Sequence, residues 1–381
     1  TGTGKTVSLK VLAERFSDLS IPVFLSDFKG DLSGLYKAGV SSEKLEERKK
    51  RCGLTEAEFS YRAFPVNFFS FTKEGGIPLR TTVSEMGPLL LSRILGLSDV
   101  QGDILRIIFR IADEEGLLLL DLKDLRAMLQ YVALHNKDYE KSYGKLSTQS
   151  LNAILRSVVA LEDRGGAEFF GEPAIDVRDF FRVNAEGKGV ISILDAKSVA
   201  SDPTIYSTFL LYLLSELYEN LPEVGDLTTP RMVFFFDEAH LLFQDCEKAL
   251  LEKITQVTRL IRSKGIGIYY VSQNPADIPE SILSQLGNKI QHGLSAYTPG
   301  DRKKLKAVAD SFRDNPSFDT LEVLENLGTG EALVSCLTEE GKPMTVEKAI
   351  IFPPQSFLGE ISPEEKEKAK NSLDLSIKYD E

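Results

Sequence analysis

The sequence predicts an α/β fold, in which a mostly parallel β-sheet is flanked by helices and a helical subdomain is inserted. Three observations predict it. Apolar runs of strand length alternate with segments of helical periodicity along the chain. Polar residues directly follow several of these runs, as they do at the carboxyl edge of a parallel sheet. In a middle region, about residues 84–161, Leu and Ile recur at helical spacing instead.

Composition and charge are those of a globular protein. The chain has 381 residues, 42% hydrophobic and 27% charged, which excludes collagen-like and wholly disordered classes. No apolar run approaches the roughly 18 residues of a membrane-spanning helix, so we expect no membrane partner and a cytoplasmic location. The net charge of −12 argues against a surface that is basic all over, but it leaves room for one basic groove or pore. Three distant cysteines and three histidines argue against a disulfide framework or a zinc cluster.

The chain begins inside a phosphate-loop motif, and we interpret it as a piece of a longer chain. Residues 1–6 read Thr-Gly-Thr-Gly-Lys-Thr, and the last three fill the final places of the pattern G-x-x-x-x-G-K-S/T. Backbone N–H groups would close around phosphate oxygens, Lys5 would reach the β- and γ-phosphates of ATP, and the Thr6 hydroxyl would ligate Mg²⁺. The alternative is a flexible terminus rich in Gly and Thr. The predicted nucleotide-binding set is Thr1, Gly2, Thr3, Gly4, Lys5 and Thr6.

After the motif, a partly buried helix is expected between Val7 and Phe16, and a buried strand at residues 22–25. Further strands are expected at residues 190–195, 290–294, 331–336 and 345–351, the last two as a hairpin. Helices are expected at the apolar residues 205–218, at the basic residues 301–309 and after a cap at Ser362. The basic helix either contacts a phosphate backbone or is simply solvated.

One apolar strand, at residues 232–236, ends in two carboxylates, Asp237 and Glu238. Asp237 would hold Mg²⁺, and Glu238 would orient and deprotonate an attacking water. The alternative is a buried strand followed by a carboxylate that caps a helix. His240 completes an Asp-Glu-Ala-His tetrad, but the separation of Lys5 and Asp237 is too long for a DEAH-box helicase, so we assign His240 only packing at a helix start.

A third strand, within residues 265–272, ends just before Gln273, which we predict to sense the γ-phosphate. The alternative is a turn, because Asn274 is followed by proline. The preceding helix carries Arg259 and Arg262. In a ring, an arginine here could reach the γ-phosphate bound by a neighbouring subunit. The alternative is a solvated basic face.

Together these motifs resemble the HerA/FtsK clade of hexameric P-loop ATPases and, within it, the bacterial YjgR-type HerA-like family. The resemblance runs from Thr1 to about Phe352. Besides the phosphate loop and the strand that ends at Asp237, it rests on residues 27–35, 78–85, 165–173, 262–265 and 272–275.

The resemblance implies a RecA-like P-loop NTPase core, with ATP sites between the subunits of a six-membered homo-oligomeric ring. By position it implies that Lys5 and Thr6 bind phosphate and Mg²⁺, and that Asp237 is the metal carboxylate. It also implies Glu238 as the base, Gln273 as the sensor and Arg262 as the arginine that acts in trans. Asp27 and Asp31 match an acidic motif of the clade, which indicates either the edge of the site or a strand end and turn.

The leading hypothesis is an ATP hydrolase that works as a ring motor to translocate or unwind DNA. The alternatives are an ATP-driven protein-remodelling motor and a low-turnover nucleotide-binding scaffold without DNA activity. We expect four units. Residues 1–75 are the N-terminal part of the core, 76–185 the inserted helical subdomain, 186–355 the remainder of the core and 356–381 a charged C-terminal helical tail.

Overall fold

The structure is a computed structural model that describes residues 4–72, 74–197, 203–225, 227–244, 246, 248–294, 298–371 and 374–379. Its strands are β1 Val23–Asp27, β2 Val66–Ser70, β3 Ile77–Pro78, β4 Ile191–Asp195, β5 Met232–Phe236, β6 Ile266–Tyr270, β7 Lys289–His292, β8 Glu331–Ser335 and β9 Glu347–Ile350.

The α-helices are α1 Lys5–Asp18, α2 Glu43–Arg51, α3 Val83–Leu95, α4 Asp99–Glu114, α5 Leu122–Leu134, α6 Asn136–Tyr143, α7 Thr148–Leu161, α8 Ala167–Phe169, α9 Pro203–Asn220, α10 His240–Phe243, α11 Lys248–Leu260, α12 Glu280–Leu283, α13 Pro299–Asp310, α14 Thr320–Glu325, α15 Pro363–Asn371 and α16 Asp374–Tyr379. Among the described residues, no helix has both the length and the apolar character that a bilayer crossing needs.

The larger sheet has six strands in the order β3-β2-β4-β1-β5-β6, and every neighbouring pair is parallel. This confirms the predicted α/β fold. Asp27 is in register with Asp195, and Leu25 with Phe235. The ends of β1, β4 and β5 therefore share one edge. A smaller antiparallel sheet, in the order β7-β8-β9, contains the predicted hairpin.

The two faces of the larger sheet are covered by different parts of the chain. Along β5, Phe234 and Phe236 pack on the side of α9 and the inserted helices, whereas Phe235 packs with residues of α1. This alternation follows from the two-residue period of a strand. Because both faces are covered, β5 is apolar throughout, as strands of a parallel sheet are.

The predicted helical region is divided into five helices, α3–α7, rather than one long element. Gly96 ends α3 in a left-handed conformation (φ 61°), and Ser98 opens α4 with a capping box. Their apolar residues join the same core as α9. Just before them, β3 pairs with β2 in the larger sheet. The exact boundaries of the four units remain a prediction.

Polar side chains of α1 are buried beneath the C-terminal segment of the chain, where the sequence predicted only an apolar face. Lys10 is 1% exposed and Glu14 is 2% exposed. Lys10 Nζ donates to the carbonyl oxygens of Asp31 and Phe357. The Glu14 carboxylate accepts the N–H groups of Gln355 and Ser356, each at 3.0 Å. Hydrogen-bond partners compensate for the burial of these groups.

Candidate active site

The described part of the phosphate loop begins at Gly4, which caps the amino end of α1. Its φ of 102° is left-handed, and a Cβ there would lie 3.3 Å from the backbone nitrogen of Gly330. Glycine therefore suits this position in both backbone conformation and space. Lys5 and Thr6 form the first turn of the helix, whose amino end attracts anions. Thr1, Gly2 and Thr3 lie outside the described residues.

Lys5 lies close enough to the two carboxylates that follow β5 to interact with them electrostatically, although they are far apart in the sequence. Burial lowers the pKa of Lys5, and the charges of Glu238 and Asp237 oppose this shift by raising it. The proximity follows from the topology, because α1 leads into β1 and β1 is the neighbour of β5. One edge of the sheet thus places a lysine and two carboxylates at the amino end of a helix.

Asp237 is held by groups from two other elements. Its Oδ1 accepts the Glu238 N–H at 2.9 Å. Its carbonyl oxygen accepts the Tyr206 hydroxyl at 2.9 Å, and the Ser26 hydroxyl lies 2.5 Å from that of Tyr206. Burial, and secondarily the charge of Glu238, raises the pKa of Asp237 to about 6. A nearby cation would favour the ionised form of this carboxyl.

Glu238 has an uncommon backbone conformation and a constrained side chain. Its φ is 49°, in the left-handed region that a residue with a Cβ seldom adopts. Gln273 Nε2 lies 3.1 Å from Oε1 and 3.4 Å from Oε2 of its carboxylate. His240 Nδ1 lies 3.4 Å from Oε2. The structure therefore brings Glu238 and Gln273 together, as the strand ends predicted.

Sequence reasoning missed two residues of this site. His240, to which we assigned only packing, lies beside the Glu238 carboxylate, and its place in the Asp-Glu-Ala-His tetrad was an available signal. Tyr206 had no such signal, because it is one aromatic residue in a strongly apolar helix. Its buried hydroxyl bridges the ends of β1 and β5.

The Asp27 carboxylate is occupied by a turn. It accepts the backbone N–H groups of four residues, those of Lys29, Gly30, Leu32 and Ser33. Asp31 starts the short 3₁₀ helix of this turn, and its carbonyl oxygen accepts Lys10 Nζ. These contacts favour the alternative that the sequence left open, a strand end and turn.

The two predicted arginines lie at the opposite edge of the sheet. Arg259 is in the last turn of α11, and Arg262 is in the 3₁₀ turn that follows it, just before β6 begins. Glu238 and Gln273 instead follow the carboxyl ends of β5 and β6. The length of a five-residue strand, about 16 Å, separates the two edges.

The smaller sheet packs against the phosphate-loop helix. His292 Nε2 in β7 lies 2.9 Å from the Ser8 hydroxyl, and its Nδ1 lies 3.1 Å from the Glu331 carbonyl oxygen. Arg48 of α2 donates to the Thr329 carbonyl oxygen at 2.6 Å. The turn at residues 328–331, which approaches Gly4, is thereby fixed from two sides.

The side chains present also fit a magnesium ion. Mg²⁺ prefers oxygen ligands and is commonly held by one or two carboxylates together with substrate phosphates. Thr6, in the first turn of α1, offers a hydroxyl, and Asp237, directly after β5, offers a carboxylate. Burial and, secondarily, the charge of Glu238 raise the pKa of Asp237, and a bound cation would favour its ionised form.

Two solved structures share this fold. The plasmid coupling protein TrwB, in complex with the non-hydrolysable ATP analogue ADPNP, matches with a TM-score of 0.60 at 13% identity, over 95% of this chain and 86% of that chain. VirB4 of Thermoanaerobacter pseudethanolicus matches with a TM-score of 0.56 at 16% identity, over 96% of this chain and 88% of that chain. The likeness is one of fold, a RecA-like α/β core.

The relatives found by sequence similarity include proteins named DNA double-strand break repair helicase HerA. The protein of Sulfolobus acidocaldarius is 25% identical over 341 residues, and that of Sulfurisphaera tokodaii is 27% identical over 343 residues. Both matches cover 88% of this chain and 60% of the relative, so the chain spans less than two thirds of these proteins. Residues 1–381 match the family described as Helicase HerA-like C-terminal. The chain therefore belongs to the HerA-like helicase C-terminal family.

Proposed function

We propose that this chain is the motor part of a ring-forming ATP hydrolase that translocates or unwinds DNA. The observation that carries the proposal is that Lys5, at the amino end of the helix before β1, interacts electrostatically with Asp237 and Glu238, which follow the neighbouring parallel strand β5. In-line attack of water on a γ-phosphate needs a phosphate-binding cation, a metal carboxylate and a group that orients the water. The names of the HerA relatives support DNA as the substrate.

In the proposed reaction, each side chain has its own task. Lys5 neutralises charge on the β- and γ-phosphate oxygens. Glu238 accepts a proton from the attacking water, and Gln273 reports the γ-phosphate through its contact with that carboxylate. Mg²⁺, held by Thr6 and Asp237, would neutralise phosphate charge as the bond to the leaving group breaks.

A neighbouring subunit supplies the arginine in this proposal. Arg262, with Arg259 as the alternative, lies a strand's length away from Glu238, about 16 Å, so it acts on the site of another subunit. An arginine that enters from outside stabilises the charge of the transition state only when the ring has assembled. We propose a homohexamer, the assembly of the clade that the sequence resembles.

Helix α13 is the proposed contact with the DNA backbone. It carries four exposed basic residues, Arg302, Lys303, Lys304 and Lys306. A local basic face of this kind can bind phosphates even though the chain as a whole carries a net charge of −12. Such binding would weaken steeply as salt is added, because neutralised phosphates release counterions.

Steady-state ATP hydrolysis, measured with and without duplex DNA and beside the mass in solution, tests the proposal. We expect DNA to stimulate hydrolysis and the mass to be that of a hexamer. Glu238→Gln should lower turnover roughly 10²-fold or more while ATP binding persists, because general-base catalysis is lost. Glu47→Gln, at an exposed position of α2, is the matched control and should keep the wild-type rate.

Two results would contradict the proposal in different ways. Hydrolysis that is indifferent to DNA, with no DNA binding at low salt, would favour the protein-remodelling motor. An unchanged rate in Glu238→Gln would favour the nucleotide-binding scaffold.

A further inference from the structure

The inserted helices contact the catalytic edge through Arg93, near the end of α3. Its Nη2 lies 3.1 Å from the Leu241 carbonyl oxygen, 3.3 Å from that of Gln244 and 3.3 Å from the Ser207 hydroxyl. One guanidinium group from the helical subdomain thus donates to two elements of the core, α10 with the residue that follows it, and α9.

Both of these elements bind the backbone of the two residues that carry the carboxylates of the active site. The Leu241 N–H donates to the Glu238 carbonyl oxygen at 2.9 Å, so the acceptor of Arg93 is one turn away from Glu238. On α9, Ser207 follows Tyr206, whose hydroxyl holds the carbonyl oxygen of Asp237. Arg93 therefore fixes the backbone after Glu238 and the helix that positions Asp237.

The environment of Arg93 is unusual for a merely structural contact. Its Nη1 is buried, and within the described part of the chain it has no hydrogen-bond partner. A partly open pocket of about 250 Å³ adjoins the guanidinium and is lined by residues of α3, α9, α10 and α11. A buried donor without a partner costs free energy.

We propose that Arg93 is a positioning residue, which couples the placement of the helical subdomain to the catalytic geometry of Glu238. The inference rests on the proposed ATP hydrolysis and adds the means of its control. The backbone of Glu238 is held at a φ of 49°, a sparsely populated conformation for a residue with a Cβ. Because such a conformation relaxes when its supporting contacts are lost, removal of the Arg93 hydrogen bonds should change the position of Glu238. When α3 shifts, α10 is released and Glu238 leaves its position.

The test compares Arg93→Met, Arg93→Lys and the control Arg126→Met. Arg126 pairs with Glu162 at 3.0 Å inside the helical subdomain, so its removal deletes the same charge without touching the core. We expect Arg93→Met to lower kcat roughly 10- to 100-fold, the effect of a misplaced catalytic group, with Kd for ATP changed less than about twofold. The kcat of Arg93→Lys should lie between those of Arg93→Met and the wild type, and Arg126→Met should have the wild-type kcat.

A second readout separates coupling from packing. In a Glu238→Gln background, Arg93→Met should lower turnover no further, because residues that act as a unit are not additive. Amide hydrogen exchange at residues 238–244 should rise in Arg93→Met and not in Arg126→Met, a measurement that needs no hydrolysis. Unchanged exchange in this segment, or a loss of turnover that adds fully to that of Glu238→Gln, overturns the inference. A wild-type protein that does not hydrolyse ATP would instead refute the proposed function.

Discussion

β1 and β5 are neighbouring parallel strands, and each has an aspartate at its carboxyl end. Asp27 is the last residue of β1 and Asp237 directly follows β5, but their carboxylates have different environments. Asp27 accepts hydrogen bonds from four backbone N–H groups of the turn after β1. Among the described residues, the Asp237 carboxylate accepts one, from Glu238. Burial raises the pKa of both carboxyls, and that of Asp237 reaches about 6.

The number of hydrogen bonds that each carboxylate accepts indicates that the end of β1 has a structural role and that the end of β5 is available for a ligand. Four N–H donors surround the Asp27 carboxylate and leave it little capacity for a further partner. Asp237 is partly buried, and the charge of the adjacent Glu238 repels its negative charge. Burial first and this repulsion second raise the pKa of Asp237. A cation at the end of β5 would relieve this repulsion. A cation at the end of β1 would have to compete with the four N–H groups of the turn for the Asp27 carboxylate.

Asp237→Asn should give the largest effect of this comparison. The amide cannot neutralise a metal ion, so we expect magnesium-dependent ATP hydrolysis to fall roughly 10²-fold or more. The thermal stability without nucleotide should stay the same or rise, because a partly buried charge that Glu238 repels is removed. Hydrolysis rates and thermal unfolding of the same preparation measure both. A large loss of stability would mean that Asp237 is a structural carboxylate like Asp27.

Asp27→Asn should give the opposite pattern. The amide group would face N–H donors that now have no acceptor, which should lower the free energy of unfolding by about 1–3 kcal/mol. Chemical denaturation measures this loss of stability. At denaturant concentrations below the unfolding midpoint of the variant, its turnover should stay near the wild-type rate. If Asp27→Asn kept full stability and lost magnesium dependence, the two strand ends would share one function.

The smallest effect concerns pH. Since the pKa of Asp237 is raised from 3.8 to about 6, magnesium must displace a proton below pH 6, and magnesium-dependent nucleotide binding should weaken there by roughly tenfold per pH unit. Without magnesium, the folded protein binds this proton more tightly than the unfolded chain. The contribution of Asp237 to stability is therefore present below about pH 4 and is lost as the pH rises to about 6.

Titrating magnesium-dependent nucleotide binding from pH 5 to pH 7.5 checks this expectation. Asp237→Asn is the control and should remove the pH dependence along with the magnesium dependence. A wild-type affinity that is flat across this range would show that another group holds the metal.

Much of the candidate site follows from local sequence. Asp237 and Glu238 come directly after β5, Gln273 lies three residues after the end of β6, and parallel strands place their carboxyl ends at one edge. Lys5 and Thr6 were predicted because the phosphate-loop pattern needs both at the start of a helix. These residues could be named before any contact was known, since their positions depend on their own strand or helix and on the order of elements.

Other residues depend on partners that are remote in the sequence. Lys10 and Glu14 of α1 had no role predicted from the sequence, and it is the C-terminal segment that supplies the Phe357 carbonyl oxygen and the Gln355 N–H that compensate for their burial. For Asp27 the sequence left two alternatives open, a role at the edge of the active site and a structural role at a strand end and turn. The residue type alone cannot decide between them, because it does not show how many N–H groups surround the carboxylate.

By itself the sequence determined the alternation of strands and helices, the phosphate-loop lysine and the two carboxylates that follow β5. Each of these is set by a pattern within one short segment, so it does not depend on contacts with remote parts of the chain. The tertiary structure alone decided that Asp27 belongs to a turn, that Tyr206 bridges two strand ends and that Arg93 donates to the backbone beyond Glu238. The physical reason is that hydrogen bonds between distant segments form only when long-range packing brings donor and acceptor together, and no periodicity in the chain records that packing.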